Sequence, residues 1–109
     1  MLFLLKNAEI TRVNQVWSTD ITYIKLPNGF IYLSAIIDVF SRMIVGYNIS
    51  TTMDTELCLD ALKNSLEKYG APELINTDQG SQYTASLWIK ALKASNIKIS
   101  MDGKGRWVD

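Results

Sequence analysis

Trp17-Ser18-Thr19-Asp20-Ile21-Thr22-Tyr23-Ile24 is built from β-branched and aromatic residues around a single acid. With a strand's two-residue period, Trp17, Thr19, Ile21 and Tyr23 share one face, and Val16, Ser18, Asp20, Thr22 and Ile24 share the other. Aspartate is a poor strand residue. A buried carboxylate is costly unless it is paired or bound to a metal. The stretch predicts a first strand from Val16 to Leu26 and marks Asp20 as the residue that needs a reason.

Outward from it, Pro27-Asn28-Gly29 predicts a turn, with proline presetting the first corner and Asn-Gly tolerating positive φ. Phe30 to Val39 predicts a second strand, whose near-continuous apolar character suggests a central place with both faces buried. Phe40-Ser41-Arg42 is a tight connection to a third strand, Met43 to Ile49, with Gly46 as a candidate bulge. Short links of this kind imply an antiparallel meander. Asp54 then offers an N-cap, Leu59, Leu62, Leu66 and Tyr69 form a helical stripe, and Gly70 and Pro72 end the helix. Glu73 to Asp78 predicts a short strand. A second helix follows, capped by Thr84, burying Leu87, Trp88, Ala91 and Leu92, and ending near a left-handed Asn96. Ile97 to Met101 is the fifth strand, followed by a glycine-containing loop. Residues 1–14 are a lead-in, and 15–109 form one domain. Strand, strand, strand, helix, strand, helix, strand is the order of a ribonuclease-H-like α/β fold with a mixed five-stranded sheet: three antiparallel strands, then helix-linked parallel ones.

The totals exclude several chemistries. The chain has 109 residues, 48% hydrophobic and 20% charged, enough for one packed domain. It contains no histidine and one cysteine, so histidine catalysis, Cys/His zinc sites and an intrachain disulfide are all absent, and a reducing cytoplasm is the expected compartment. No segment reads as a membrane span. Eleven basic residues balance eleven acidic ones, so any nucleic-acid contact has to come from local loops.

Acids, bases and metal ligands must therefore come mainly from carboxylates. If the first and fourth strands are neighbours, Asp20 and Asp78 converge at one end of the sheet, where open α/β sheets commonly bind ligands. Two close carboxylates fit a hard divalent ion, Mg²⁺ or Mn²⁺. The alternative for each is a turn-capping aspartate. For Asp38, in Asp38-Val39-Phe40-Ser41, capping is the favoured reading.

Taken together, these segments resemble insertion-sequence transposases of the IS3 type. Trp17 to Ile24 is similar to the first catalytic strand of that family. Ile36-Ile37-Asp38-Val39-Phe40-Ser41-Arg42 with Ile44-Val45-Gly46 is similar to the second and third strands. Asp78-Gln79-Gly80-Ser81-Gln82-Tyr83-Thr84 is similar to the second catalytic segment, and Ile97 to Met101 with Gly103-Lys104-Gly105 and Asp109 to the approach to the third. The likeness covers nearly everything from Asn14 onward. It departs from the family at Asn76-Thr77, where a histidine is common, and at Asp102, where a base is common.

The resemblance implies an integrase catalytic core in which two aspartates and a glutamate hold metal. Asp20 and Asp78 would be the two aspartates, while the glutamate and its helix would fall a few positions beyond Asp109. It further implies Mg²⁺ or Mn²⁺ as cofactor, and DNA, both transposon ends and target, as substrate. On this reading the 109-residue chain alone is inactive. Gln79, Gly80, Ser81 and Gln82 are candidate DNA contacts, against the alternative of a polar turn. Lys104 and Arg106 are further candidates, with solvated surface charge as the favoured reading. Partners would be a second copy or a full-length transposase. Two other readings stay open: a DNA-binding or transposase-pairing regulatory fragment, and a ribonuclease-H-like nuclease that completes its acids with Asp38 or Asp109.

Overall fold

The first strand, β1 (Val16–Leu26), runs antiparallel to β2 (Gly29–Asp38), which runs antiparallel to β3 (Ile44–Ser50). The computed structural model describes residues 9–78, 80–101 and 106–108, the last three and Met101 as backbone only. Helix α1 (Thr55–Tyr69) carries the chain back so that β4 (Leu74–Thr77) joins the other side of β1 in parallel. Two short helices, α2 (Ser81–Thr84) and α3 (Ser86–Ala94), lead to β5 (Lys98–Met101), again parallel. The sheet order is β3-β2-β1-β4-β5-β6. The five strands stand in the order the sequence predicts. A sixth, β6 (Arg106–Val108), pairs antiparallel with β5 inside the stretch read as a terminal loop.

Local chemistry explains most boundaries. The hairpin closes over Pro27-Asn28, and the positive φ falls on Gly29, at 143°, rather than on Asn28. The Asp54 side chain accepts the Leu57 N–H and caps α1. Gly70, at φ 77°, ends the helix by donating its N–H to the Leu66 carbonyl. Asn96 is left-handed at φ 57°, as its position suggests. Thr84 is not a cap: it closes the single turn of α2, and extended Ala85 separates α2 from α3.

The α1 and α3 side of the sheet is the core. Trp17 and Trp88 are both fully buried there, with Ile36, Cys58, Ala61, Leu62, Ile75, Tyr83, Leu92 and Ile99. The innermost line of α1 is Cys58, Ala61, Leu62 and Ser65, while Leu59, Leu66 and Tyr69 flank it. Leu87, expected to be buried, is 59% exposed, because the break at Ala85 starts α3 with this residue turned outward. The other side is only partly covered. A small cluster of Val16, Val39 and Leu74, with Ile10 against it, fills one end. Around β2 and β3 that face is open, with Ile37, Ile44, Tyr47 and Ile49 exposed. Central β2 is thus not buried on both faces, since both longer helices pack against one side.

Asp38 is a structural acid. It is fully buried, and its carboxylate accepts the Asn14 N–H at 2.7 Å and the Ser41 N–H at 2.8 Å. Asn14, at φ 68°, in turn donates to the Tyr69 carbonyl and accepts from the Trp17 indole. This knot ties the entrance of β1 to the exits of β2 and α1.

Gly46 lies where the β2–β3 register shifts, which supports the bulge, but a closer constraint comes from α1. A Cβ there would stand 1.9 Å from the Ser65 Oγ and 3.0 Å from the Ala61 carbonyl oxygen. Helix and strand are in backbone contact. Gly46→Ala is expected to destabilise the fold by about 1–3 kcal/mol in urea unfolding, as overpacking does. Adding Ser65→Gly is expected to recover part of the loss. An unchanged midpoint for Gly46→Ala would contradict this packing.

Candidate functional site

The β1–β4 ladder pairs Val16 with Leu74, Trp17 with Ile75 and Ser18 with Asn76. Beyond Ser18 the two strands part: β4 ends at Thr77, while β1 runs on beside β2 alone. Continuing the same parallel register for two more residues sets Asp20 opposite Asp78. Alternation puts Asp20 on the face of Val16 and Ser18, away from α1 and α3, and the same alternation carried past the end of β4 would put Asp78 on the face of Leu74 and Asn76. The two aspartates stand at the mouth where a parallel ladder opens, at the carboxyl end of β4.

Asp20 is exposed and Asp78 half-buried. Asp20 therefore avoids the burial cost that its strand setting suggests, because its face of the sheet is the open one. Its Oδ1 accepts the Ile21 N–H at 2.9 Å. The Asp78 Oδ1 accepts the Gly80 N–H at 2.7 Å and turns the chain out of β4. Neither carboxylate has an ion pair among the described residues, where the one salt bridge joins Arg12 to Glu73. Beneath the pair runs a buried polar row, Asn76 beside Ser100 in register. The Asn76 Oδ1 and the Ser100 Oγ are buried without a hydrogen-bond partner.

Gly80, Ser81 and Gln82 line the rim beside Asp78. A Cβ on Gly80 would come within 3.0 Å of both the Asp78 Oδ1 and the Gln82 Oε1, so close approach at this glycine is already used by its own neighbours. Ser81 is exposed and Gln82 half-buried. Gln79 and Lys104 lie outside the described residues, as do the Arg106 side chain and Asp109. Asp38 is locked in its turn, at the opposite end of the β1–β2 pairing from the hairpin, and is not free to join the pair.

Under the sheet sits a second polar group, one with no local signal in the sequence. The Tyr83 hydroxyl is 3.3 Å from the Thr19 Oγ1, both groups being buried. The Tyr83 ring meets Trp88 edge to face, with centroids 5.2 Å apart. The Cys58 thiol and the Ser34 hydroxyl adjoin the same spot. Burial pushes the Tyr83 phenol well above its ordinary range and also raises the Cys58 thiol, whose shift the neighbouring Tyr83 and Ser34 side chains moderate. Both groups stay protonated at neutral pH.

A mixed sheet in this order, helix-covered on one side and opening between β1 and β4 on the other, defines a ribonuclease-H-like α/β domain. Residues 10–106 match the integrase core domain, and the chain belongs to that family. It is similar to the transposase InsF for insertion sequence IS3A of Escherichia coli (strain K12), 37% identical over 94 residues, covering 84% of this chain and 33% of that protein. It is also similar to the transposase for insertion sequence element IS904 of Lactococcus lactis subsp. lactis (strain IL1403), 43% identical over 101 residues, covering 91% of this chain and 40% of that protein. Among solved structures, the HTLV-2 integrase catalytic core domain in complex with magnesium superposes with a TM-score of 0.74 at 22% identity, over 82% of this chain and 61% of that one. The chain therefore spans well under half the length of these transposases. No helix among the described residues is long and apolar enough to cross a membrane.

The two kinds of aspartate separate in stability. Asp38→Asn is expected to lower the melting temperature by several degrees, since it weakens two buried charge-assisted bonds. Asp20→Asn is expected to leave it unchanged, because the side chain is exposed and an amide oxygen can still accept the Ile21 N–H. Thermal unfolding followed by circular dichroism checks both, and an equal loss for the two variants would contradict the assignment.

Proposed function

We propose that this chain provides two of the metal-holding carboxylates, Asp20 and Asp78, of a core that acts in DNA transposition and integration by phosphodiester cleavage and strand transfer. The observation that carries the proposal is the β1–β4 register, which ends with Ser18 beside Asn76 and, continued two residues further, would bring together two acids 58 positions apart in sequence. Their chemistry fits Mg²⁺ or Mn²⁺. Each uses Oδ1 for a backbone N–H, and the hard oxygens are not neutralised by a cationic side chain among the described residues. A divalent ion held there supplies charge neutralisation for the attacking and leaving oxygens of a phosphodiester.

The residues of the chain set the rest. The Asp78–Gly80 turn fixes one carboxylate at the strand end, and the β1 backbone fixes the other. Ser81 and Gln82 stand beside Asp78 as hydrogen-bond donors for phosphate oxygens, with Gln79, Lys104 and Arg106 as further candidate DNA contacts. Two carboxylates offer few anionic oxygens, so these 109 residues by themselves hold the ion weakly and do not turn over. The open apolar face of Ile37, Ile44, Tyr47 and Ile49 favours a second reading, in which the chain pairs with another copy or with a full-length transposase.

Calorimetric titration with Mn²⁺ and a strand-transfer assay test the proposal together. The expected result is weak binding, with Kd on the order of 1 mM, lost in both Asp20→Asn and Asp78→Asn, and no strand transfer. Binding that persists in both variants would place the ion elsewhere. Strand transfer that disappears with either substitution would show that two aspartates suffice.

A further inference from the structure

We propose that Tyr83 is a positioning residue: its buried hydroxyl, bonded to Thr19, braces the Asp78–Gly80 turn against β1 and so sets the separation of Asp20 and Asp78. The inference deepens the metal-site reading and rests on it only where metal is concerned.

The backbone hydrogen bonds described within the turn after β4 are short-range. Asp78 accepts from Gly80, and the Gly80 carbonyl accepts the N–H groups of Tyr83 and Thr84. All of these lie within one segment of seven residues and do not fix where that segment sits relative to β1. The β1–β4 ladder has already ended at Ser18 and Asn76. Tyr83 supplies a cross-link one residue beyond that point. Its hydroxyl reaches Thr19, the residue immediately before Asp20, on the opposite face of the same strand. Its ring is 1% exposed and seated against Trp88, the anchor of α3. The Cys58 thiol of α1 adjoins the same hydroxyl. One phenol thus joins β1, α1, α2 and α3 directly below the carboxylate pair. Thr19 is held from beneath while Asp20 projects above, and Tyr83 is tied through one helical turn to Gly80 and Asp78.

A phenylalanine keeps the ring and its packing but removes the bond, leaving the Thr19 hydroxyl buried with one partner fewer. The segment is then free to shift against β1 without unfolding. The Thr19→Val variant removes the same bond from the other end.

Amide hydrogen exchange of Tyr83→Phe, Thr19→Val and the double variant tests this without metal. The expected result is exchange about tenfold faster at Gly80, Tyr83 and Thr84 in each single variant, with the amides of α1 changed much less. The double variant is expected to add nothing further, since both remove one bond. Unchanged exchange in the turn, a uniform rise across all elements, or additive effects would overturn the brace. Should Tyr83→Phe fail to fold, Thr19→Val decides the matter from the other end of the bond. Mn²⁺ titration of the same proteins reads the consequence: affinity is expected to fall three- to tenfold in variants that remain folded, with a melting temperature lowered by a few degrees. A wild-type chain that binds no Mn²⁺ would remove the metal reading while the exchange data still decide the brace.

Discussion

Everything in this domain follows from a short parallel ladder. Three residue pairs between β1 and β4 fix the register, and the register fixes which residues face each other after the ladder ends. Parallel strands need a long crossover, and α1 provides it, packing its Cys58-Ala61-Leu62-Ser65 line on the sheet. The Gly46 contact lets that helix come down to backbone distance on β3. The Asn14–Asp38 knot fixes where β1 begins. Each of these features is remote from the carboxylate pair, yet each constrains the strand geometry that creates it.

The two faces of the sheet divide the work. The helix-covered face holds the core and, within it, a small polar group around the Tyr83–Thr19 bond, where the Ser34 Oγ and the Trp88 Nε1 are buried without a hydrogen-bond partner among the described residues. The open face holds the aspartates, Asn76 and Ser100, where polar groups lack partners among the described residues. A fold tolerates unmet polar groups poorly. Asn76 and Ser100 lie side by side in register on the face opposite α1 and α3, while Ser34 and Trp88 lie on the helix-covered side.

Much of this was legible in the sequence because strong local signals agreed. The lengths of the connections, two short turns and then two helices, determine the order of the five main strands. Asp54, Gly70 and Asn96 declare their helix ends by backbone chemistry that acts over three or four residues. Asp38 reads as a turn acid for the same reason, and the pairing of β1 with β4 follows from topology. What escaped were effects set by tertiary contact. Leu87 is apolar and at a helical position, but the break at Ala85 turns it to solvent. The length of β2's apolar run suggested burial on both sides, although helices cover only one. Gly46 looked like a bulge residue, and only the position of Ser65 reveals the tighter constraint. Tyr83 sat in plain view within a recognisable segment, yet its bond to Thr19 spans 64 positions and has no local signature.

The central claim is that the register of β1 and β4 makes one divalent-ion site from Asp20 and Asp78. Crystals soaked in Mn²⁺ and measured at an anomalous wavelength address it most directly. A peak bridged by oxygens of both aspartates is the expected result. A peak bound to other residues, or side chains that diverge to opposite faces of the sheet, would contradict it.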